Sequence, residues 1–185
     1  MIQSAALLMG EHGVEATSFS RVLEHSGAPR GSIYHHFPAG KAQLIEEATR
    51  FTGNFLAATL TAALEQEDPL AGVDATADFW RASLSHTDFA AGCPVVAATV
   101  EGDRVPAVRD AADEAFQRWE QLHVANLRRH GIDERRAQSL ATLIVAAIEG
   151  AVILCRAERS SQPLERVVDE LHALLSDVFS RKRNH

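Results

Sequence analysis

Thr17-Ser18-Phe19-Ser20-Arg21-Val22-Leu23-Glu24-His25-Ser26-Gly27-Ala28-Pro29-Arg30-Gly31-Ser32-Ile33-Tyr34-His35-His36-Phe37 is the stretch from which the rest of the chain is best read. Thr17 or Ser18 supplies a hydroxyl that can cap a helix of about eight residues, with Phe19, Val22 and Leu23 on its buried side. Gly27 permits the left-handed backbone of a tight turn, and Pro29 opens the next helix with φ already set. Two helices joined by a short glycine-bearing turn are the grammar of a helix-turn-helix. In the second helix Ile33 and Phe37, four apart, point inward. Arg30, Ser32, Tyr34 and His35 are left facing outward near its start, where such helices meet base edges.

Outward from this stretch nearly every segment reads as helix, with abundant Ala and Leu and apolar residues at three- and four-residue spacing. Met1 runs straight into a helical pattern with no cap, so a few residues, some of them basic, are expected ahead of it. Gly13 ends that helix, and Phe37-Pro38-Ala39-Gly40 ends the short reading helix. A long helix follows from Lys41 to about Glu65, then helices over Leu70–His86, Val95–Glu101 (stopping at Gly102-Asp103) and Pro106–Arg129. Arg135–Glu158 is apolar around much of its girth, through Leu140, Leu143, Ile144, Ala147, Ile148, Ala151 and Leu154. The last helix follows Pro163 and carries the stripe Leu164, Val167, Val168, Leu171, Leu174, Leu175, Val178 and Phe179. The fold class is therefore all-α, about nine helices without a strand.

Charge gives this reading no support. The chain has 185 residues and a formal net charge of −7, and residues 1–50 carry four Lys/Arg against five Asp/Glu. Residues 51–120 hold the acidity, four against twelve, whereas residues 121–185 carry ten against eight. Four of the nine histidines lie in the first fifty residues. A local positive face is enough for phosphate contact, so the bulk acidity excludes nothing. Two cysteines, Cys93 and Cys155, are too few for a disulfide framework. Phe51–Leu64, taken as the longest nearly uncharged run at about 14 residues, is too short to span a bilayer. Nothing at the N-terminus looks like a signal peptide, so a cytoplasmic protein without membrane partners is expected.

Gly27-Ala28-Pro29-Arg30-Gly31-Ser32-Ile33-Tyr34-His35-His36-Phe37-Pro38, followed by Gly40-Lys41 and Leu44, resembles the DNA-binding signature of the TetR family. Gly13-Val14-Glu15-Ala16-Thr17-Ser18-Phe19 is similar to the segment between that family's first two helices. The extra residue in Phe-Pro-Ala-Gly-Lys, and Gly92-Cys93-Pro94-Val95 with Glu101, resemble its LmrA/YxaF-like branch. The resemblance implies a three-helix DNA-binding domain over 1–45, joined rigidly within the long helix to a ligand-binding and dimerisation domain over 46–185. It also implies a transcriptional regulator, a repressor released from double-stranded operator DNA by a small hydrophobic or aromatic effector, with no cofactor.

Position by position, the resemblance puts Arg30, Ser32, Tyr34 and His35 at the major groove, with Gly31 allowing close approach. Tyr34 and His36 would bond phosphates, Lys41 would meet the backbone at the start of its helix, and Ser18, Ser20 and Arg21 would add phosphate contacts. His36 as a packed core histidine, Ser18 as a cap only and Arg30 as a plain surface charge are the alternatives. The implied pocket draws on Phe55, Phe79, Trp80, Phe89, Val96, Val100, Phe116, Trp119 and Ile148, with Ser83, Cys93, Thr99, Glu120 and His123 as polar groups. The implied homodimer pairs the helices at about 135–158 and 163–181.

The rival reading is a metal-binding helical-bundle enzyme. Glu120-Gln121-Leu122-His123 is a Glu-x-x-His that places both side chains on one helical face. No second such motif occurs, His35 and His36 point to different faces, and Cys93 has no third group to orient a nucleophilic pair.

Overall fold

The computed structural model describes residues 1–101 and 105–183, so the expected stop at Gly102-Asp103 lies outside the described residues. Among those residues the chain is helix joined by short turns, with no strand: α1 (Ile2–Ala16), α2 (Phe19–Ser26), α3 (Arg30–His36), α4 (Lys41–Leu64), α5 (Ala71–His86), α6 (Pro94–Glu101), α7 (Pro106–Arg129), α8 (Glu134–Glu158) and α9 (Gln162–Arg183). The chain gathers into two compact units. One holds Met1–Phe55 and Ala90–Phe116, and the other holds Leu56–Phe89 and the chain from Gln117 onward.

In the first unit the helix breaks expected from the sequence are present. Gly13 sits at φ 84, ψ 170 and interrupts α1, and Gly27 closes α2 at φ 67. Met9, Val22, Ile33, Phe37, Leu44 and Ile45 form the core under the reading helix, each at most 3% exposed. α1 packs closely against α6. A Cβ on Gly10 would stand 2.2 Å from the carbonyl oxygen of Gly92, a distance no side chain tolerates, so the glycine is what lets the two backbones meet. Arg50 of α4 joins Glu46 and, from α7, Glu114 in one charged cluster.

The second unit is built on Leu60, Trp80, Leu84, Trp119, Leu127, Leu140, Ile144, Ile148 and Leu164, all at most 2% exposed. Arg81 of α5 grips Glu165 of α9 bidentately, Nε to Oε1 at 2.8 Å and Nη2 to Oε2 at 2.7 Å. That guanidinium holds the Glu165 carboxyl below the usual carboxylate range. α8 corrects one expectation. The run from Ala137 to Cys155 is interrupted only by Glu149, and α8 is by length and composition long and apolar enough to cross a membrane, unlike Phe51–Leu64. Within the single chain 44% of its most apolar stretch is buried. Leu140, Ile144, Ile148, Ala151 and Val152 form the buried face, while Leu143, Ile153 and Leu154 are about half exposed.

Candidate nucleic-acid interface

The reading helix is held by its neighbours in sequence. Ser18 is extended and its hydroxyl accepts the Arg21 amide at 3.3 Å, so it caps α2, while the Thr17 hydroxyl donates back to the Gly13 carbonyl at 2.8 Å. Pro29 lies one residue ahead of α3, at φ −61, and leads into Arg30. Ile33 at 0% and Phe37 at 3% exposure anchor α3 from below. Its other side is open: Arg30, Gly31, Tyr34, His35 and His36 are all exposed, Tyr34 by 70%. A side chain on Gly31 would meet nothing within 4 Å, so its bare backbone leaves room for close approach rather than relieving a clash.

Among the remaining positions the structure separates free groups from engaged ones. Ser20 and Arg21 are exposed on α2, and Arg21 Nη1 also donates to the Ala16 carbonyl at 3.2 Å. Ser32 is half-buried and its hydroxyl donates to the Pro29 carbonyl at 2.7 Å, so it is less outward than its spacing suggested. Lys41 is half-buried, with Nζ donating to the Glu15 carbonyl at 2.9 Å. His36 is exposed and not a packed core histidine; its ring lies edge-on to that of His35 with centroids 5.6 Å apart.

Two residues support the site in ways not expected from the sequence: Phe19, placed there only on the buried side of its helix, and Gln43, which was not singled out. The Phe19 ring meets Tyr34 edge-to-face at 5.6 Å and fixes where the phenol points. Gln43 ties the turn into α4: Oε1 accepts the Ala39 amide at 3.0 Å, and Nε2 donates to the His36 carbonyl at 3.3 Å and to Glu47 at 2.8 Å. A glutamine three residues after the helix-opening Gly40, reaching back over the first turn, is the signal that would have found it.

The expected pocket residues fall into two sets. Phe55, Cys93, Val96, Thr99, Val100 and Phe116 belong to the first unit; Cys93 is buried, Val96 and Phe116 are half-buried, and Phe55, Thr99 and Val100 are exposed. Thr99 returns its hydroxyl to the Val95 carbonyl at 2.9 Å. In the second unit Trp80, Trp119, His123 and Ile148 are buried, with Phe79, Ser83, Phe89 and Glu120 half-buried. Phe79 lies edge-to-face on Trp80 at 5.0 Å, and the buried Trp80 indole N–H has no acceptor among the described residues. His123 packs against Gly72, where an added Cβ would lie 3.3 Å from its ring, and burial pushes its pKa down to about 4. It is therefore neutral at pH 7. Around Glu120 and His123 the metal reading finds no support: among the described residues no group of three His, Cys, Asp or Glu is gathered to hold an ion.

Comparison with known proteins identifies the family of the chain. Residues 1–48 match the family described as bacterial regulatory proteins, tetR family, and residues 69–170 match the transcriptional regulator LmrA/YxaF-like, C-terminal domain. An uncharacterized HTH-type transcriptional regulator of Mycobacterium tuberculosis is 42% identical over 190 residues, covering 99% of this chain and 96% of the relative. The HTH-type transcriptional regulator LmrA of Bacillus subtilis is 31% identical over 166 residues, 89% of this chain and 88% of its own length. Among solved structures, a regulatory protein TetR from Rhodobacter sphaeroides superposes with a TM-score of 0.82 at 20% identity, covering 92% of this chain and 94% of that one. At that identity the likeness speaks for the fold alone.

Proposed function

The chain belongs to the tetR family of bacterial regulatory proteins, in the group with an LmrA/YxaF-like C-terminal domain, and from that premise we propose that it is a dimeric, one-component repressor released from operator DNA by a small hydrophobic or aromatic molecule. The observation that carries the DNA-binding part is the open face of α3. Arg30, Tyr34 and His35 stand exposed on a helix whose opposite side, Ile33 and Phe37, is locked into the core. A rigid helix presenting a guanidinium, a phenol and an imidazole is suited to the major groove, where guanidinium reads guanine and hydroxyls reach phosphates. Residues 1–45 are the DNA-reading part in this reading and 46–185 the part that responds to the effector and dimerises.

The effector arm is supported by buried aromatic and aliphatic side chains in the second unit, Trp80, Trp119, His123 and Ile148. A repressor acts where the chromosome is, which places it in the cytoplasm. The dimer is supported by an apolar groove of about 500 Å³ between α8 and α9, lined in part by Leu143, Ala147, Leu154, Val167, Leu171 and Leu174. A twofold dimer carries two copies of α3, and an operator read in adjacent major grooves needs them roughly 34–36 Å apart.

A gel-shift titration tests the reading on duplexes selected from a random library by the purified protein. Wild-type protein is expected to shift them, and hydrophobic or aromatic compounds that raise its melting temperature are expected to release them. Tyr34→Ala is expected to lower affinity at least tenfold, about the loss of one good contact of 1–3 kcal/mol, with the protein still dimeric. Undiminished binding by Tyr34→Ala would sink the assignment of α3.

A further inference from the structure

A DNA-binding head normally carries its positive charge as Lys and Arg, and this one has few. Residues 1–50 hold only Arg21, Arg30, Lys41 and Arg50, against five carboxylates. Three of these four cations are already engaged: Arg50 with Glu46 and Glu114, Lys41 with the Glu15 carbonyl and Arg21 with the Ala16 carbonyl. The same fifty residues carry four histidines, and two of them, His35 and His36, stand exposed side by side in the last turn of α3.

Both rings lie on the solvent-facing side of α3, among other ionisable groups. Besides the two imidazoles, the charged and titratable side chains on α1 to α4 are Arg30 and Tyr34 on α3, Arg21, Glu24 and His25 on α2, Glu11, His12 and Glu15 on α1, and Lys41, Glu46, Glu47 and Arg50 on α4. None of the carboxylates among them is ion-paired with either imidazole, and Glu47 and Glu46 are turned to Gln43 and Arg50. A DNA duplex changes that environment sharply. It brings about one negative charge per 1.7 Å of helix axis against the face that α3 presents. Histidine is the side chain that ordinarily changes charge between about pH 5 and 8, and a nearby anion favours its charged form.

We propose that this chain takes up protons when it binds DNA, through His35 and His36, so that its hold on the operator tightens as pH falls from 8 to 6. The inference rests on the DNA-binding reading above and adds a regulation to it. By linkage, any group that binds its proton more tightly in the complex makes affinity rise as pH falls. An imidazolium also adds a phosphate contact that a neutral ring cannot make as a charge, so the complex formed at low pH releases more counterions.

Fluorescence anisotropy on a library-selected duplex, at fixed salt between pH 8.0 and 6.0, reads the effect, with circular dichroism at each pH to verify the fold. Affinity is expected to rise on the order of tenfold across that range, as expected for a net uptake averaging roughly half a proton over it. The log–log salt slope is expected to be steeper at pH 6.0 by somewhat under one. Calorimetry in two buffers of different ionisation enthalpy counts the protons directly on the unaltered protein. In the H35Q/H36Q double variant the pH dependence is expected to flatten to under twofold, whatever its absolute affinity. Binding without proton uptake, or a double variant that keeps the wild-type slope, overturns the proposal and leaves the DNA-binding reading standing. No binding at any pH overturns both.

Discussion

His123 shows how one residue's surroundings change its chemistry. It is 4% exposed in the second unit, and burial alone carries its pKa from histidine's usual 6.5 down to about 4. The unfolded chain therefore takes up the proton before the folded one as pH falls. Stability is full above about pH 6.5 and is lost through the window from 6.5 to 4, by about 2 kcal/mol at pH 5. For a chain of this size that is about 4–8 °C in Tm. Thermal melts of wild type and His123→Leu are expected to show this extra loss between pH 7 and 5 in the wild type only. Equal losses in both would mean that the buried imidazole is not the group responsible. The acid loss acts on the fold, whereas the gain at His35 and His36 acts on the complex, so the two pH effects have opposite signs.

At the scale of the element, α2 and α3 are short, and short helices depend on their ends. α2 has eight residues, capped at one end by the Ser18 hydroxyl and closed at the other by left-handed Gly27. Ser18→Ala is expected to cost about 1 kcal/mol, because the Arg21 amide loses its acceptor. Ser18→Asn restores a capping oxygen, and its Tm should stay close to wild type. Equal melting temperatures for Ser18→Ala and wild type would show that the cap contributes nothing. α3 is stabilised differently, with no side-chain cap at Pro29, two buried anchors below it and Gln43 bridging the turn that follows. Tyr34 faces outward by its place in α3, and its ring also packs edge-to-face on Phe19 of α2.

At the scale of the whole molecule, α8 has more apolar surface than its own unit covers. Leu143, Ile153 and Leu154 remain 45–55% exposed in the single chain, beside the groove shared with α9. A second copy of the same face is the occupant proposed above for these exposed side chains. Leu154 is about half exposed at the rim of that groove, so circular dichroism of Leu154→Asp should stay helical. Light scattering at micromolar concentration is expected to report a dimer for wild type and a monomer for the variant, with DNA affinity falling as two heads become one. A variant that remains dimeric would move the interface elsewhere.

The sequence by itself determined the features that depend on neighbours a few residues away. The capped α2, the breaks at Gly13 and Gly27, the proline ahead of α3 and the inward pair Ile33 and Phe37 all follow from φ restrictions, local hydrogen bonds and a 3.6-residue period. Tertiary structure decided what depends on contacts between residues far apart in the chain. Only packing exposes His36, engages Lys41 with the Glu15 carbonyl and removes His123 from solvent. Residues 90–116 join the reading helices in one compact unit, and Gly10 meets Gly92 backbone to backbone there. A helical pattern specifies which residues share a face; which partner that face meets depends on the rest of the fold.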